Sequence, residues 1–225
     1  MKIDIVSVQP KMFEGFLRES IVARAQRKGA CEIFIHDLRD FAHDKRRTVD
    51  DRPYGGGPGM LMMCAPWFEA IETIAGEKRE GTRIVMTSPA GKRFTQADAR
   101  ELANAEHIVF MCGHYEGFDA RIRTLATDEF SIGDFVMTGG ELAAAAMTDS
   151  IVRLLPGVLG GGMAATQSES FSGGLLEAPQ YTHPAEFRGM KVPEVLINGD
   201  HIKAEAWKRG EAEKLTRQTR PDLLK

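Results

Sequence analysis

The segment His107-Ile108-Val109-Phe110-Met111-Cys112, running straight into Gly113-His114-Tyr115-Glu116-Gly117, decides how the chain is read. An apolar run of this length bounded by a turn signal is a strand, and it empties into a glycine-bearing loop. The same grammar occurs twice more. Arg83–Thr87 reads as a strand followed by Ser88-Pro89-Ala90-Gly91 and a helix starting near Thr95. Phe135–Met137 reads as a short strand followed by Thr138-Gly139-Gly140 and a helix over Glu141–Leu155. A single glycine turn is ordinarily only a turn. Three from one sheet predict a cradle, because ligands of open α/β sheets bind outside the carboxyl ends of the strands.

The flanking sequence supports that frame. Lys2–Val8 alternates apolar and polar residues as a strand does, and Pro10 opens a helix with Met12, Phe13, Phe16, Leu17, Ile21 and Val22 on one stripe. Gly29 ends that helix, and Cys31–Leu38 reads as the next strand. This is a βαβ unit and predicts a parallel sheet under helices. A polar stretch from Arg39 to Gly59 breaks the pattern before a helix near Trp67–Ile74. The expected organisation is a main α/β domain over 1–159, a glycine-rich linker over 160–173 and a small, mainly helical domain over 174–225.

Composition bounds the function. The chain has 225 residues, 43% hydrophobic and 27% charged, which suits a globular fold with a real core. No stretch reaches the roughly 18 apolar residues of a membrane span. Asp4 interrupts the apolar run that a signal peptide needs, so a cytoplasmic location is expected. Cys31, Cys64 and Cys112 are widely separated and read as reduced thiols. The net charge of −3 conceals an uneven distribution. From His201 to Lys225 there are seven Lys/Arg and four Asp/Glu, or +3, which leaves −6 on the rest. A basic tail on an acidic body suits either a local anionic partner or a solvated helix face.

Several chemistries are excluded. Gly55-Gly56-Gly57-Pro58-Gly59 has no following Gly-Lys-Ser/Thr, so it is not a phosphate loop. There is no nucleophile elbow, and His36 and His43 lack the spacing of a helical zinc site, so no metal site is read. A pocket built from backbone amides and small residues suits a flat amphipathic ligand such as an adenosine.

Five runs carry a resemblance: 48–63 (TVDDRPYGGGPGMLMM), 112–117 (CGHYEG), 131–142 (SIGDFVMTGGEL), 156–160 (PGVLG) and 174–177 (GLLE), with Tyr181-Thr182 and Pro184. In this order the chain resembles the bacterial tRNA (guanine-37-N1)-methyltransferases of the SPOUT class, from residue 1 to the end. The resemblance implies an α/β fold with a parallel sheet and a deep trefoil knot near the end of the first domain. Nothing in the periodicity shows a knot, and knots are rare. It also implies S-adenosylmethionine as cofactor, a homodimer with a shared active site, tRNA bearing guanosine 37 as substrate, and Mg²⁺ in some members.

Carried over residue by residue, the resemblance implies a cofactor site of Met86, Thr87, Ser88 and Pro89, then Gly113, Tyr115 and Glu116, then Ser131, Ile132, Gly133, Asp134, Phe135, Val136, Met137, Gly139 and Gly140. N1 of guanine carries a proton at neutral pH, so transfer needs a base near N1 and a stabiliser for charge on O6. The family uses an Asp before a Ser; here Gln167-Ser168-Glu169-Ser170-Phe171 places Glu169 at that position, one methylene longer. Glu177 is the alternative base, or else a cofactor-amine contact. Arg153 matches the arginine that faces the target base. Asp50, Arg52 and Tyr54 fall in the loop that approaches the anticodon arm. Lys203, Lys208, Arg209, Lys214, Arg217 and Arg220 would neutralise tRNA phosphates. The chain stops at Lys225, short of many relatives, which implies a smaller contact area with tRNA.

Overall fold

The computed structural model describes residues 1–76, 81–160, 166 and 168–224. Contacts divide the chain into two units, Met1–Gly160 and Gly161–Lys225.

The first unit is built on a five-stranded sheet. Its strands are β1 (Lys2–Ser7), β2 (Glu32–Asp37), β5 (Thr82–Arg93), β6 (His107–Cys112) and β7 (Asp128–Ser131), in the order β2-β1-β6-β5-β7, and every pairing is parallel. Parallel pairing requires crossovers, and the helices that make them cover both faces. That is why β1 and β6 are buried from their second residue onward. On one face Ile3, Ile5, Val85, Ile108 and Phe110 pack with Ala25 of α2 (Ser20–Arg27), Leu102 of α4 (Gln96–Leu102) and Met147 and Ile151 of α5 (Glu141–Val152). On the other, Val6, Ile84, Met86, Val109 and Met111 pack with Trp67 and Ile71 of α3 (Cys64–Ala75) and with Ile122 and Leu125. Two residue pairs, β3 (Asp50–Asp51) and β4 (Leu61–Met62), close the glycine-rich loop between β2 and α3 as a small antiparallel ladder.

Three expectations are corrected. Phe135–Met137 is not a strand: the edge position beside β5 is taken by Asp128–Ser131, where Phe130 supplies the buried side chain. Phe135 and Val136 are exposed instead, so their apolar character belongs to a surface and not to the core. The Ser88-Pro89-Ala90-Gly91 segment is not a loop after a strand, because β5 continues through it with a register shift between Thr87 and Lys92. An added Cβ at Gly91 would lie 2.6 Å from the backbone of Glu129 and Phe130, which is how β7 passes so close. The helix expected from Pro10 is broken into a 3-10 turn (Pro10–Phe13), α1 (Glu14–Arg18) and α2, with Ser20 at φ 53° marking the break.

The second unit contains α6 (His201–Thr219), capped by the Asp200 side chain accepting from the Lys203 N–H. A short hairpin of β8 (Glu186–Phe187) and β9 (Met190–Lys191) was not anticipated in this helical region. Of the expected 160–173 linker, residues 161–165 and 167 lie outside the described residues; near its end the Phe171 N–H donates to the Leu175 carbonyl at 2.8 Å. No helix among the described residues is long and apolar enough to cross a membrane.

At the start of the sheet a charged residue is fully buried. Asp4 is 1% exposed on β1, which lies between β2 and β6, and its two carboxylate oxygens each meet a histidine Nε2 at 2.6 Å, His36 from β2 and His107 from β6. Lys2 Nζ adds an ion pair at 2.8 Å. Burial pushes the Asp4 carboxyl up, but the bonds from His36, Lys2 and His107 outweigh it and hold the group below the usual value. Asp4→Asn is expected to lower stability at pH 7 by about 3 kcal/mol, because it leaves the partners of a buried ion uncompensated. The carboxylate's contribution is complete above about pH 4, where an unfolded aspartate ionises, and is lost as pH falls through the lower folded value. Chemical denaturation across pH should therefore show the wild-type advantage shrinking below pH 4; an advantage that persists undiminished to pH 2 contradicts the account.

Candidate functional site

Beyond the carboxyl ends of β6 and β7, alongside the middle of β5, lies a cavity of about 310 Å³. Its position is the one that parallel α/β topology favours for a ligand. The first wall is Met86, Thr87, Ser88 and Pro89 of β5; the second is 113–118; the third runs from Phe130 to Gly140 with the exception of Asp134.

Glycine lets these walls meet. The Gly140 N–H donates to the Gly113 carbonyl at 2.7 Å. A Cβ at Gly140 would fall 1.9 Å from Thr87 Oγ1 and 2.9 Å from the Gly113 nitrogen, a separation that no side chain tolerates. Thr87, buried beside them, donates its hydroxyl to the Met111 carbonyl at 3.0 Å and so ties β5 to β6. The second wall is also stitched to the glycine-rich loop before α3. The Glu116 N–H donates to the Met60 carbonyl at 3.0 Å, and the Met62 N–H donates to the Gly117 carbonyl at 2.9 Å.

Tyr115 stands at the tip of the second wall in a left-handed backbone conformation, φ 58°. Its hydroxyl accepts from Arg39 Nη2 at 3.2 Å, while burial and the nearby Asp50 carboxylate push the phenol up. Arg123 also reaches the cavity and pairs with Glu129 at 3.1 Å.

The structure thus brings together every expected cofactor-site residue of the first unit except Asp134, whose carboxylate turns to Arg93 Nη2 at 2.5 Å. Glu177 belongs to the second unit, where its side chain accepts from Gln180 Nε2 and its N–H donates to Ser170 Oγ at 3.0 Å. Glu169 is there too, its carbonyl accepting from the Ser172 N–H at 3.1 Å. Arg153 caps the end of α5. Asp50 lies on β3; Arg52 and Tyr54 are exposed beyond it.

On α6, Lys203, Lys208, Arg209 and Lys214 pair with Asp200, Glu205, Glu213 and Glu211 at 2.7–3.5 Å. Arg217 stands in the last turn, and Arg220, the cap residue, pairs with Asp222 at 2.7 Å. Exposed pairs of this kind are weak.

Sequence reasoning left His114, Gly117, Phe118, Arg123, Phe130, Thr138 and Ala143 out of the site, although all line the cavity. His114, Gly117 and Thr138 were visible inside the 112–117 and 131–142 motifs; the other four carry no local signal. Cys31, Cys64 and Cys112 are free thiols, and burial pushes all three up. Among the described residues no three His, Cys, Asp or Glu side chains converge to hold a metal.

The family profile described as tRNA (Guanine-1)-methyltransferase TrmD matches residues 1–225. A tRNA (guanine-N(1)-)-methyltransferase of Limosilactobacillus fermentum is 54% identical over 228 residues, covering 100% of this chain and 90% of the relative. Its counterpart from Geobacillus kaustophilus is 53% identical over 225 residues, covering 100% and 91%, and one from Bacillus cereus is 52% identical over 225 residues, covering 100% and 92%. Full-length matches at this level establish that the chain belongs to the tRNA (guanine-1)-methyltransferase family.

Proposed function

We propose that the chain transfers the methyl group of S-adenosylmethionine to N1 of guanosine 37 in tRNA, as a cytoplasmic homodimer with a shared site. The observation that carries this reading is the cavity walled by three converging segments, two of them glycine-bearing, in a chain that its family matches end to end. The same reading implies the trefoil knot.

The residues present fit the cofactor. The cavity volume of about 310 Å³ is at the compact end of ligand sites, which suits a folded ligand. The backbone amide at Gly139 can address the edge of an adenine, and exposed Phe135 and Val136 offer it apolar surface. When bound, the cofactor supplies an electrophilic methyl on a sulfonium.

The chain's own residues do the rest. Glu169 takes the proton from N1, freeing the lone pair, and Arg153 holds the charge that develops on O6. Glu177 is the alternative base. Asp50, Arg52 and Tyr54 meet the anticodon arm, and Lys203, Lys208, Arg209, Lys214, Arg217 and Arg220 neutralise phosphates, which makes binding salt-sensitive. Mg²⁺ has no ligand set among the described residues and no step is assigned to it.

Labelled methyl transfer to a transcript carrying G36-G37 should be rapid, and replacing G37 should remove it; full activity on the replaced RNA overturns the position assignment. Glu169→Gln should lower kcat by about a hundredfold or more, the scale of general-base catalysis, with cofactor affinity nearly unchanged. If Glu177→Gln has that effect and Glu169→Gln does not, Glu177 is the base.

A further inference from the structure

Two titratable side chains behind the cavity have no part in the reaction as proposed. Glu141, the first residue of α5, is 2% exposed, and its Oε1 accepts from Ser7 Oγ at 2.7 Å. The same Oε1 lies 3.6 Å from His114 Nδ1. That nitrogen is buried and has no hydrogen-bond partner, although the ring lines the cavity and its side chain is 20% exposed. Gly139 covers the pair: a Cβ there would fall 2.2 Å from Glu141 Oε2 and 2.5 Å from His114 Nδ1. A carboxylate is well placed at a helix N-terminus. An imidazole nitrogen with no hydrogen-bond partner among the described residues therefore stands within reach of a buried carboxylate.

We propose that Glu141 and His114 form a charge switch behind the cavity that makes the site favour a cationic sulfonium ligand over its uncharged thioether product, and that protonating His114 cancels this preference. The inference rests on the methyl-donor reading above. Loss of the methyl group removes one positive charge from the ligand and otherwise leaves it nearly the same size. The charge presented by the cavity wall therefore discriminates between donor and spent product. With His114 neutral, its Nδ1–H can face Glu141 and the pair carries one negative charge. With His114 protonated, the pair is neutral and the attraction for a sulfonium is lost.

Imidazole is the side chain that changes charge between pH 5 and 8. The other groups facing the pair are quieter. Ser7 from β1 and Thr87 from β5 do not ionise. The Cys112 thiol of β6 is held far up by burial and by the Glu141 charge. The Tyr115 phenol beside His114, with rings 5.0 Å apart, is held up as well. The charged side chains lining the cavity are Glu116 and Arg123, the latter paired with Glu129. His36 and His107 are engaged by Asp4 at the start of the sheet.

The test is calorimetric titration of the intact protein with S-adenosylmethionine and, separately, S-adenosylhomocysteine, at pH 5.5 and 7.2. In the wild type the ratio of the two affinities should rise about three- to tenfold in favour of S-adenosylmethionine between the two pH values, the scale of one charge acting across a partly screened site. His114→Asn should fix the ratio high at both pH values, and Glu141→Gln should fix it low. Thermal melting of each variant reports whether it folds, and His114→Asn alone decides the matter if Glu141→Gln does not. A wild-type ratio that is flat with pH, or a pH dependence that survives His114→Asn, overturns the switch while leaving the methyl-donor reading intact. Binding of neither ligand overturns both.

Discussion

The backbone of Gly140 meets the backbone of Gly113 at 2.7 Å, and the cavity depends on that contact. It brings the end of β6 and the start of α5 within one hydrogen bond of each other, with Thr87 of β5 wedged against both. A side chain at residue 140 would have to occupy the space of the Thr87 hydroxyl. The parallel sheet aims three segments at one place, and the glycines let them close on it. Apolar cover on both faces of the sheet then holds those segments still. A ligand entering this site meets walls whose backbone is already fixed by the fold, which is how preorganised binding is built.

Charge is arranged as deliberately as backbone. At the start of the sheet the buried Asp4 carboxylate takes up two histidines and a lysine, so three strands share one ion. At the cavity end, buried Glu141 takes up only the Ser7 hydroxyl and leaves His114 Nδ1 without a partner. The first cluster is saturated and serves stability. The second is incomplete, with a hydrogen-bonding capacity left over beside the cavity. The exposed ion pairs along α6 are of a third kind, and each contributes little to stability.

Much of the fold was legible because period and burial coincide. Strands β1, β2 and β6 stand within a residue of their expected bounds, and the helix after Thr95 begins at a capping box formed by Thr95 and Asp98. The failures have physical causes. Asp128–Ser131 looks nothing like a strand, since only Phe130 of its residues is apolar; its charges are neutralised by Arg123 just upstream and by Arg83, a residue far off in sequence. Phe135–Met137 looks like a strand because a cavity wall and a core are both apolar. The 113–117 and 139–140 loops were found from their glycines, whereas the pairing of His114 with Glu141 spans too many residues for any local pattern to reveal.

The central claim is that one ligand occupies all three walls at once. Hydrogen–deuterium exchange on addition of S-adenosylmethionine measures this directly. The account predicts simultaneous protection of residues 86–89, 113–117 and 131–140, with little change at the Asp4 end of the sheet. Protection confined to one wall, or appearing away from the strand ends, would contradict it.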